Sequence, residues 1–171
     1  MRFLETWAAI KADLKVNIYP KSYYIVSLYR LAHYFMTGSI LLKVIGSPVT
    51  VLYLFTVKWI IGVEIPPKTR IGKGFVIYHG YGLVINSASQ LGDNVVVRQG
   101  CCIGNTVLKD GSNSEAPIIG NNVDFGVNAL VLGPVVVADN VKIGAGAVVV
   151  KDCDFGSTYV GVPARKLPTH Q

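Results

Sequence analysis

From Glu64 onward, aliphatic and aromatic residues recur every six positions: Ile65, Ile71, Ile77 and Leu83, then Leu91, Val97 and Ile103, then Ile119, Phe125, Val131, Val137, Ile143 and Val149. Glycine follows directly at Gly72, Gly92, Gly104, Gly120, Gly126 and Gly144. Two residues ahead of these positions, small or β-branched residues are common, as at Thr69, Ser89, Val95, Cys101, Val123, Ala129, Val135, Val141 and Ala147. A repeat of this kind is the signature of a parallel β-helix. Each repeat supplies a short flat strand and a turn, and three repeats close a triangular coil. One side chain per repeat points inward, and stacked coils turn single positions into ladders while completing each other's hydrogen bonds. The thirteen positions make about four coils. The period does not itself set the hand of the coil.

The phase slips twice. Leu83 to Leu91 spans eight residues, just after "HGYG" (His79 to Gly82), and Ile103 to Ile119 spans sixteen, across the polar loop "GNTVLKDGSNSEAP" from Gly104 to Pro117. Interruptions of a rigid solenoid are where function concentrates. His79, the one histidine in the middle of the chain, sits at the first of them.

Ahead of the repeat, residues 1–61 carry apolar residues at helical spacing, as in Leu4, Trp7, Ala8 and Leu14 and in Ile25, Leu28, Leu31, Ala32 and Phe35. Breaks fall at Tyr19–Ser22, with Ser22 expected as a helix N-cap, at Gly38–Ser39 and at Gly46–Pro48. Ile40 to Val63 is very apolar, but Lys43 and Lys58 bracket only 14 uncharged residues, interrupted by Pro48. A membrane span needs roughly 20 apolar residues. The segment is therefore expected to be a helix pair buried in the core or an oligomer interface, with peripheral membrane contact as the other reading. The expected organisation is a helical region over 1–61, an all-β main domain over 62–152 with an extruded loop at 104–117, and a tail over 153–171.

With 51% apolar and 15% charged residues, disorder is excluded. The net charge of +6 suggests an anionic partner. The basic residues are scattered, without a Lys/Arg run interleaved with aromatics, so no nucleic-acid partner is expected. Cys101, Cys102 and Cys153 form neither a disulfide framework nor a zinc spacing, which fits a reducing cytoplasm; no metal site is expected. The N-terminus does not read as a signal peptide. His33, three residues after Arg30, is expected to be structural, and His170 to lie in the terminal tail.

Together, the ladder, "IGKGFVIYHGYGLVIN", the extruded loop, "IGAGAVVVKD" and "GVPAR" resemble the hexapeptide-repeat acyltransferases. The likeness is to the serine acetyltransferase branch and, within it, to the colanic acid and capsular polysaccharide O-acetyltransferases. The resemblance implies a left-handed parallel β-helix, a homotrimer, and acetyl-CoA bound in a cleft between coils. It makes His79 the general base and Glu64, fifteen residues earlier, the acid that orients it, although the family more often has aspartate there. An imidazole near its ordinary pKa can take a hydroxyl proton at neutral pH, and a carboxylate on its other nitrogen fixes the tautomer. The resemblance further implies acetyl-CoA contacts at Gly104 and Asn105, at Gly126, Asn128 and Ala129, and at Gly144, Ala145 and Ala147. Arg165 and Lys166 of "GVPARK" would meet phosphate. Tyr78, Tyr81 and Asn86 are the expected acceptor-binding residues.

Two departures bear on the acceptor. The serine enzymes place an acid directly before the histidine, where this chain has Tyr78. They also carry an arginine–histidine pair where this chain has Glu115 and Ala116. Without those charges a zwitterionic acceptor is poorly supported, and a neutral, hydroxyl-rich sugar fits better. The sequence reading is thus an acetyl-CoA-dependent O-acetyltransferase acting on a free or lipid-linked saccharide of a surface polysaccharide. It would be cytoplasmic, with peripheral contact at the inner membrane. Serine O-acetyltransferase and a non-catalytic β-helix scaffold are the alternatives.

Overall fold

In the computed structural model, which describes residues 2–168, four α-helices precede the repeat. They are α1 (Arg2–Val16), α2 (Pro20–Met36), α3 (Ile40–Ile45) and α4 (Ser47–Tyr53), and α4 runs on into a π-helical turn at Leu54–Ile60. Fourteen short strands follow among the described residues: β1 (Arg70–Ile71), β2 (Val76–Tyr78), β3 (Val84–Ile85), β4 (Gln90–Leu91), β5 (Val96–Arg98), β6 (Cys102–Gly104), β7 (Ile118–Ile119), β8 (Asp124–Phe125), β9 (Leu130–Leu132), β10 (Val136–Val137), β11 (Lys142–Ile143), β12 (Val148–Val149), β13 (Thr158–Val160) and β14 (Arg165–Lys166).

The strands form the three faces of a prism. The first face stacks β1-β4-β7-β10, the second β2-β5-β8-β11-β13-β14, and the third β3-β6-β9-β12. All neighbours are parallel except the last pair, β13 and β14. On the first face Arg70 pairs with Gln90, Gln90 with Ile118, and Ile118 with Val136, giving steps of 20, 28 and 18 residues. Three hexapeptides account for the 18-residue step. The excess of two belongs to the first slip and the excess of ten to the extruded loop. That loop closes on itself, with Val107 bridging Asn113 and Ser114 donating to the Thr106 carbonyl at 2.8 Å.

The first slip lies earlier than the aliphatic count suggests. Ile77 pairs with Val97, and Ile85 with Ile103, so the inward rung after Ile77 is Ile85 rather than Leu83. Leu83, fully buried, fills the slot two residues before a rung. The two extra residues are therefore inside the His79–Gly82 turn itself, not after it. Leucine and isoleucine both satisfy an inward position, which is why composition alone assigned the wrong one.

Residues 153–168 are not a loose tail. Cys153 bridges Val137, β13 pairs with β11, and β14 folds back antiparallel on β13. The ladder thus continues past residue 152, and the antiparallel strand covers its end, where an open edge would invite pairing with another chain. His170 lies outside the described residues.

The opposite end is closed by side chains. β2 is the edge of the second face. Asn17, just past α1, donates from Nδ2 to the Phe75 carbonyl at 2.7 Å and accepts at Oδ1 from the Ile77 N–H at 3.1 Å. Its amide thereby replaces one rung of a missing strand. Asp13 accepts from the Phe75 N–H at 2.9 Å, and Tyr29 and Tyr53 donate to the carbonyls of Thr69 and Ile65, each at 2.6 Å. Arg30 pairs with Asp13 at 2.7 Å and donates to the Ile71 carbonyl at 2.6 Å. Buried backbone groups without such partners would each cost about 1–3 kcal/mol. Ser22 belongs to this set: it is buried and donates to the Ile77 carbonyl, so it does not cap α2. The cap position is Tyr19, with Pro20 opening the helix. His33 is part of the same seam, its Nδ1 2.8 Å from the Pro67 carbonyl.

Candidate active site

The turn after β2 takes an unusual path. His79, Gly80 and Gly82 have φ of 65°, 72° and 65°. A left-handed conformation is uncommon for histidine and marks a position held by its surroundings. Gly80 is required, because a Cβ there would lie 2.9 Å from Ile77 Cγ2. Lys21, in the first turn of α2, donates its ammonium to the His79 carbonyl and covers the Tyr81 ring. Tyr19 packs against both His79 and Tyr78, with ring centroids 5.9 and 6.2 Å away. Tyr78 and His79, with Arg98, Gln99 and Val127, line a cavity of about 320 Å³. Arg98 is held by Asp124 and lies over the Tyr78 ring, 5.4 Å from its centroid. Neither imidazole nitrogen of His79 bonds another described residue. Tyr19 and Lys21 were not among the residues expected from the sequence. A proline-opened helix start names a boundary and says nothing of which turn it packs on.

Glu64 is not joined to His79. Its backbone lies on the adjacent rung, donating to the Leu83 carbonyl at 2.8 Å, while Gly82 donates to Gly62. Its carboxylate, however, faces Lys58, with Oε1 2.9 Å from Nζ. The reason is register: Glu64 bridges Val84, an outward position on the third face, whereas His79 is on the corner before that face.

The expected acetyl-CoA and acceptor residues divide between two corners of the prism. The corner between the second and third faces stacks the His79–Gly82 turn on Gln99–Gly100, then Gly126–Asn128, then Gly144–Gly146. Gly100 donates to Tyr81 at 2.8 Å, Asn128 to Gln99 at 3.0 Å, and Gly146 to Val127 at 2.8 Å. Tyr78, His79 and Tyr81 thus share one column with Gly126, Asn128, Gly144 and Ala145. The N–H groups of Val127 and Ala145 make no hydrogen bond within the described chain. They are donors on successive coils, suited to the amide carbonyls of a pantetheine arm. Gly146 has space beside it, with nothing within 4 Å of a Cβ placed there. Gly126 has another explanation, since a Cβ there would lie 2.4 Å from the Ala145 nitrogen and block coil stacking. Ala129 and Ala147 are fully buried and their N–H groups are taken by Gly126 and Gly144, so they present nothing to a bound molecule.

Asn86, Gly104 and Asn105 occupy the next corner, between the third and first faces. There Asn86 donates to Asn105 at 2.9 Å, Gly104 is buried, and neither Asn86 nor Asn105 lines the His79 cavity. Arg165 and Lys166 are exposed at the far end. Arg165 donates only to the Ala164 carbonyl, while Lys166 holds Asp154 at 2.9 Å. That contact raises the Lys166 pKa and lowers that of Asp154. Burial pushes the Cys101 thiol up, and that of Cys153 to about 12, so both are neutral, unreactive core groups. Among the described residues no cluster of three or more His, Cys, Asp or Glu is placed to hold a metal ion.

A parallel β-helix with a histidine-bearing corner, covered by helices at one end, defines a hexapeptide-repeat acyltransferase, and comparison with known proteins agrees. No family profile matches the chain. It is 34% identical over 157 residues to the colanic acid biosynthesis acetyltransferase WcaB of Escherichia coli K12, itself a provisional assignment, covering 90% of this chain and 95% of that one. It is 43% identical over 110 residues to a serine acetyltransferase of Helicobacter pylori, covering 64% of this chain and only 63% of that enzyme. The crystal structure of Neisseria gonorrhoeae serine acetyltransferase superposes with a TM-score of 0.78 at 30% identity, over 96% of this chain and 68% of that one. A serine acetyltransferase in complex with CoA superposes with a TM-score of 0.72 at 27% identity, over 87% of this chain and 58% of that one. The fold matches the left-handed β-helix of those enzymes. The chain belongs to the acetyltransferase family that contains serine acetyltransferases and WcaB.

Proposed function

We propose that the chain transfers an acetyl group from acetyl-CoA to a saccharide hydroxyl, with His79 as general base, in the biosynthesis of an exopolysaccharide or capsule. The observation that carries this reading is the wall around His79. Tyr19 and Tyr78 pack on or beside the imidazole, Tyr81 follows on the same turn, and the Lys21 ammonium is already engaged by the His79 carbonyl. No carboxylate of the described chain contacts this cluster to receive an ammonium. Aromatic faces and a free imidazole suit a neutral, polyhydroxylated ring. The match to WcaB, which runs nearly end to end, points the same way.

In this reading an acceptor hydroxyl approaches His79 and gives it its proton while the oxygen attacks the thioester carbonyl. The proton then passes to the departing thiolate, and no acyl-enzyme forms. The backbone donors of Val127 and Ala145 hold the pantetheine arm along the corner. Glu64 can orient the imidazole only after its carboxylate leaves Lys58. Arg165 and Lys166 meet phosphate only if CoA reaches the far end of the column.

The active unit is a homotrimer. The outward residues of the third face, Val84, Cys102, Leu130 and Val148, are in register and all apolar or weakly polar. Cyclic packing on that face would set the Asn86–Asn105 corner of one copy beside the His79 corner of the next. The chain works in the cytoplasm, at the face of the inner membrane where a lipid-linked acceptor is presented. Among the described residues no helix is long and apolar enough to cross a membrane.

The second reading is serine acetylation, favoured by the 43% identity to the Helicobacter enzyme over the matched segment. Thiol release from acetyl-CoA, measured with L-serine and with polysaccharide repeat units, separates the two. Saccharide-dependent release supports the proposal, serine turnover reverses it, and no release with any acceptor points to a scaffold.

A further inference from the structure

Gln99 stands directly over the candidate base. Tyr78 pairs with Arg98, so the residues that follow them, His79 and Gln99, take the same place on successive coils. Val96 pairs with Asp124 and Asp124 with Lys142, which carries the column on to Val127 and Ala145. The column therefore runs His79, Gln99, Val127, Ala145, at the roughly 4.8 Å step between neighbouring strands. The backbone around Gln99 is pinned on both sides. Gly100 donates to the Tyr81 carbonyl at 2.8 Å, and the Gln99 carbonyl accepts from Asn128 at 3.0 Å.

The side chain is not pinned. Its Oε1 is buried and has no hydrogen-bond partner. Thr69 Oγ1, the other such atom among the described residues, belongs to a residue wholly enclosed in the coil. Gln99 instead lines the cavity that holds His79. A carbonyl oxygen shielded from water and left without a donor is unfavourable. The terminal amide torsion is broad, so the group can turn toward a donor that enters the cavity.

The neighbours decide which donor that is. Arg98, in the same lining, is already engaged by Asp124 and by the Phe125 carbonyl at 2.5 Å, so it leaves no unmatched guanidinium to draw an acid. The oxygen and sulfur of a thioester are acceptors only and cannot satisfy Oε1. In the transfer reading, on which this inference rests, the pantetheine amides run along Val127 and Ala145, one and two coils beyond Gln99. The donor left at the level of His79 is the acceptor itself. One of its hydroxyls gives its proton to His79, and the hydroxyl on the next carbon is in reach of an amide one coil further along. We infer that the Gln99 amide binds the hydroxyl beside the one that His79 deprotonates, and so selects a sugar with two neighbouring free hydroxyls.

The test is steady-state thiol release from acetyl-CoA by the full chain and by Gln99→Met, with polysaccharide repeat units as acceptor. The variant is expected to raise the KM for the saccharide about two- to tenfold, the worth of one neutral hydrogen bond, and to leave the KM for acetyl-CoA unchanged. Repeat units deoxygenated at the carbon next to the acetylated one should show the same loss with the parent and no further loss with Gln99→Met. Removing the amide also removes its unpartnered oxygen, so the thermal midpoint of Gln99→Met should hold or rise. An unchanged saccharide KM overturns the inference, as does a deoxygenation penalty that persists in full in the variant. A rise confined to the KM for acetyl-CoA overturns it by giving the amide to the pantetheine arm, and a lowered thermal midpoint overturns it by making the amide structural. A parent chain that releases no thiol with any saccharide fails the transfer reading itself, and the inference with it. Failure in the Gln99→Met comparison alone leaves the transfer reading standing.

Discussion

Lys58 Nζ lies 2.9 Å from Glu64 Oε1, so the carboxylate fifteen residues ahead of His79 is held by a lysine and not by the imidazole. Both side chains are 40% or more exposed, so the pair contributes little to stability and is easily exchanged. In the proposed mechanism Glu64 is thus an auxiliary to His79. Glu64→Gln is expected to lower kcat by no more than about tenfold, whereas loss of a general base costs about 10²–10⁴. Lys58→Met, by freeing the carboxylate, should leave kcat unchanged or raise it. Steady-state thiol release on the two variants checks this, and a Glu64→Gln loss as deep as that of His79→Ala would show that the dyad is obligatory.

Tyr19 packs on Tyr78, the last residue of β2, and on His79, the first residue of the displaced turn. If its ring serves as a wall for the acceptor, Tyr19→Ala raises the KM for the saccharide by about two- to tenfold, matching the roughly 0.5–1.5 kcal/mol of aromatic contact beyond area burial. The KM for acetyl-CoA should not move, and Tyr19→Phe should behave as the parent because stacking does not use the hydroxyl. Equal KM values for parent and Tyr19→Ala would remove Tyr19 from the site.

Asn17 replaces a rung of β-ladder on the exposed edge of β2. Asn17→Leu keeps the volume but strands the Phe75 carbonyl and the Ile77 N–H. It should destabilise the fold by about 2–6 kcal/mol, the cost of two unpaired buried groups. Chemical denaturation reads this directly. A loss below about 1 kcal/mol would mean that water satisfies those groups instead.

Burial first, then Asp152 and Asp154, push the Cys153 thiol up from 9.0 to about 12. A folded-state pKa above the unfolded one means the native state holds the proton where the unfolded state has lost it. Stability from this group is then fully present below pH 9 and lost as pH rises toward 12. The thermal midpoint should fall across that window, and Cys153→Ala should flatten the early part of the fall. Tyr29 and Tyr53, also raised by burial, keep the later part. An unchanged alkaline slope in Cys153→Ala would contradict the assignment.

The β-helix was legible because its core is written one residue at a time. Ile71, Val97, Ile119 and Val137 each mark a rung, and a ladder repeats the message on every coil. The slip at His79 was legible as an interruption but misplaced by two residues, because Leu83 and Ile85 are both buried and a hydrophobic count cannot tell a rung from the slot before it. The site was legible only along the chain. His79 and the glycine corners could be aligned, but the Lys58 contact of Glu64, the Tyr19 contact of His79 and the Asn17 rung on β2 all cross from helix to coil. Asn17 and Phe75 are 58 positions apart, and the chain between them carries no periodic signal of that contact. The tail was misread for a related reason: β13 and β14 add a rung and an antiparallel closure after the clear hexapeptides end.

In the proposed reaction His79 removes the proton from a saccharide hydroxyl during direct attack on acetyl-CoA. The most direct measurement is saccharide-dependent thiol release by the parent chain and by His79→Ala, with acetyl-CoA binding measured by calorimetry on both. A loss of about 10²–10⁴ in kcat is expected for His79→Ala, with acetyl-CoA affinity unchanged. Saccharide-dependent release by His79→Ala at the parent rate, with acetyl-CoA still bound, would contradict it.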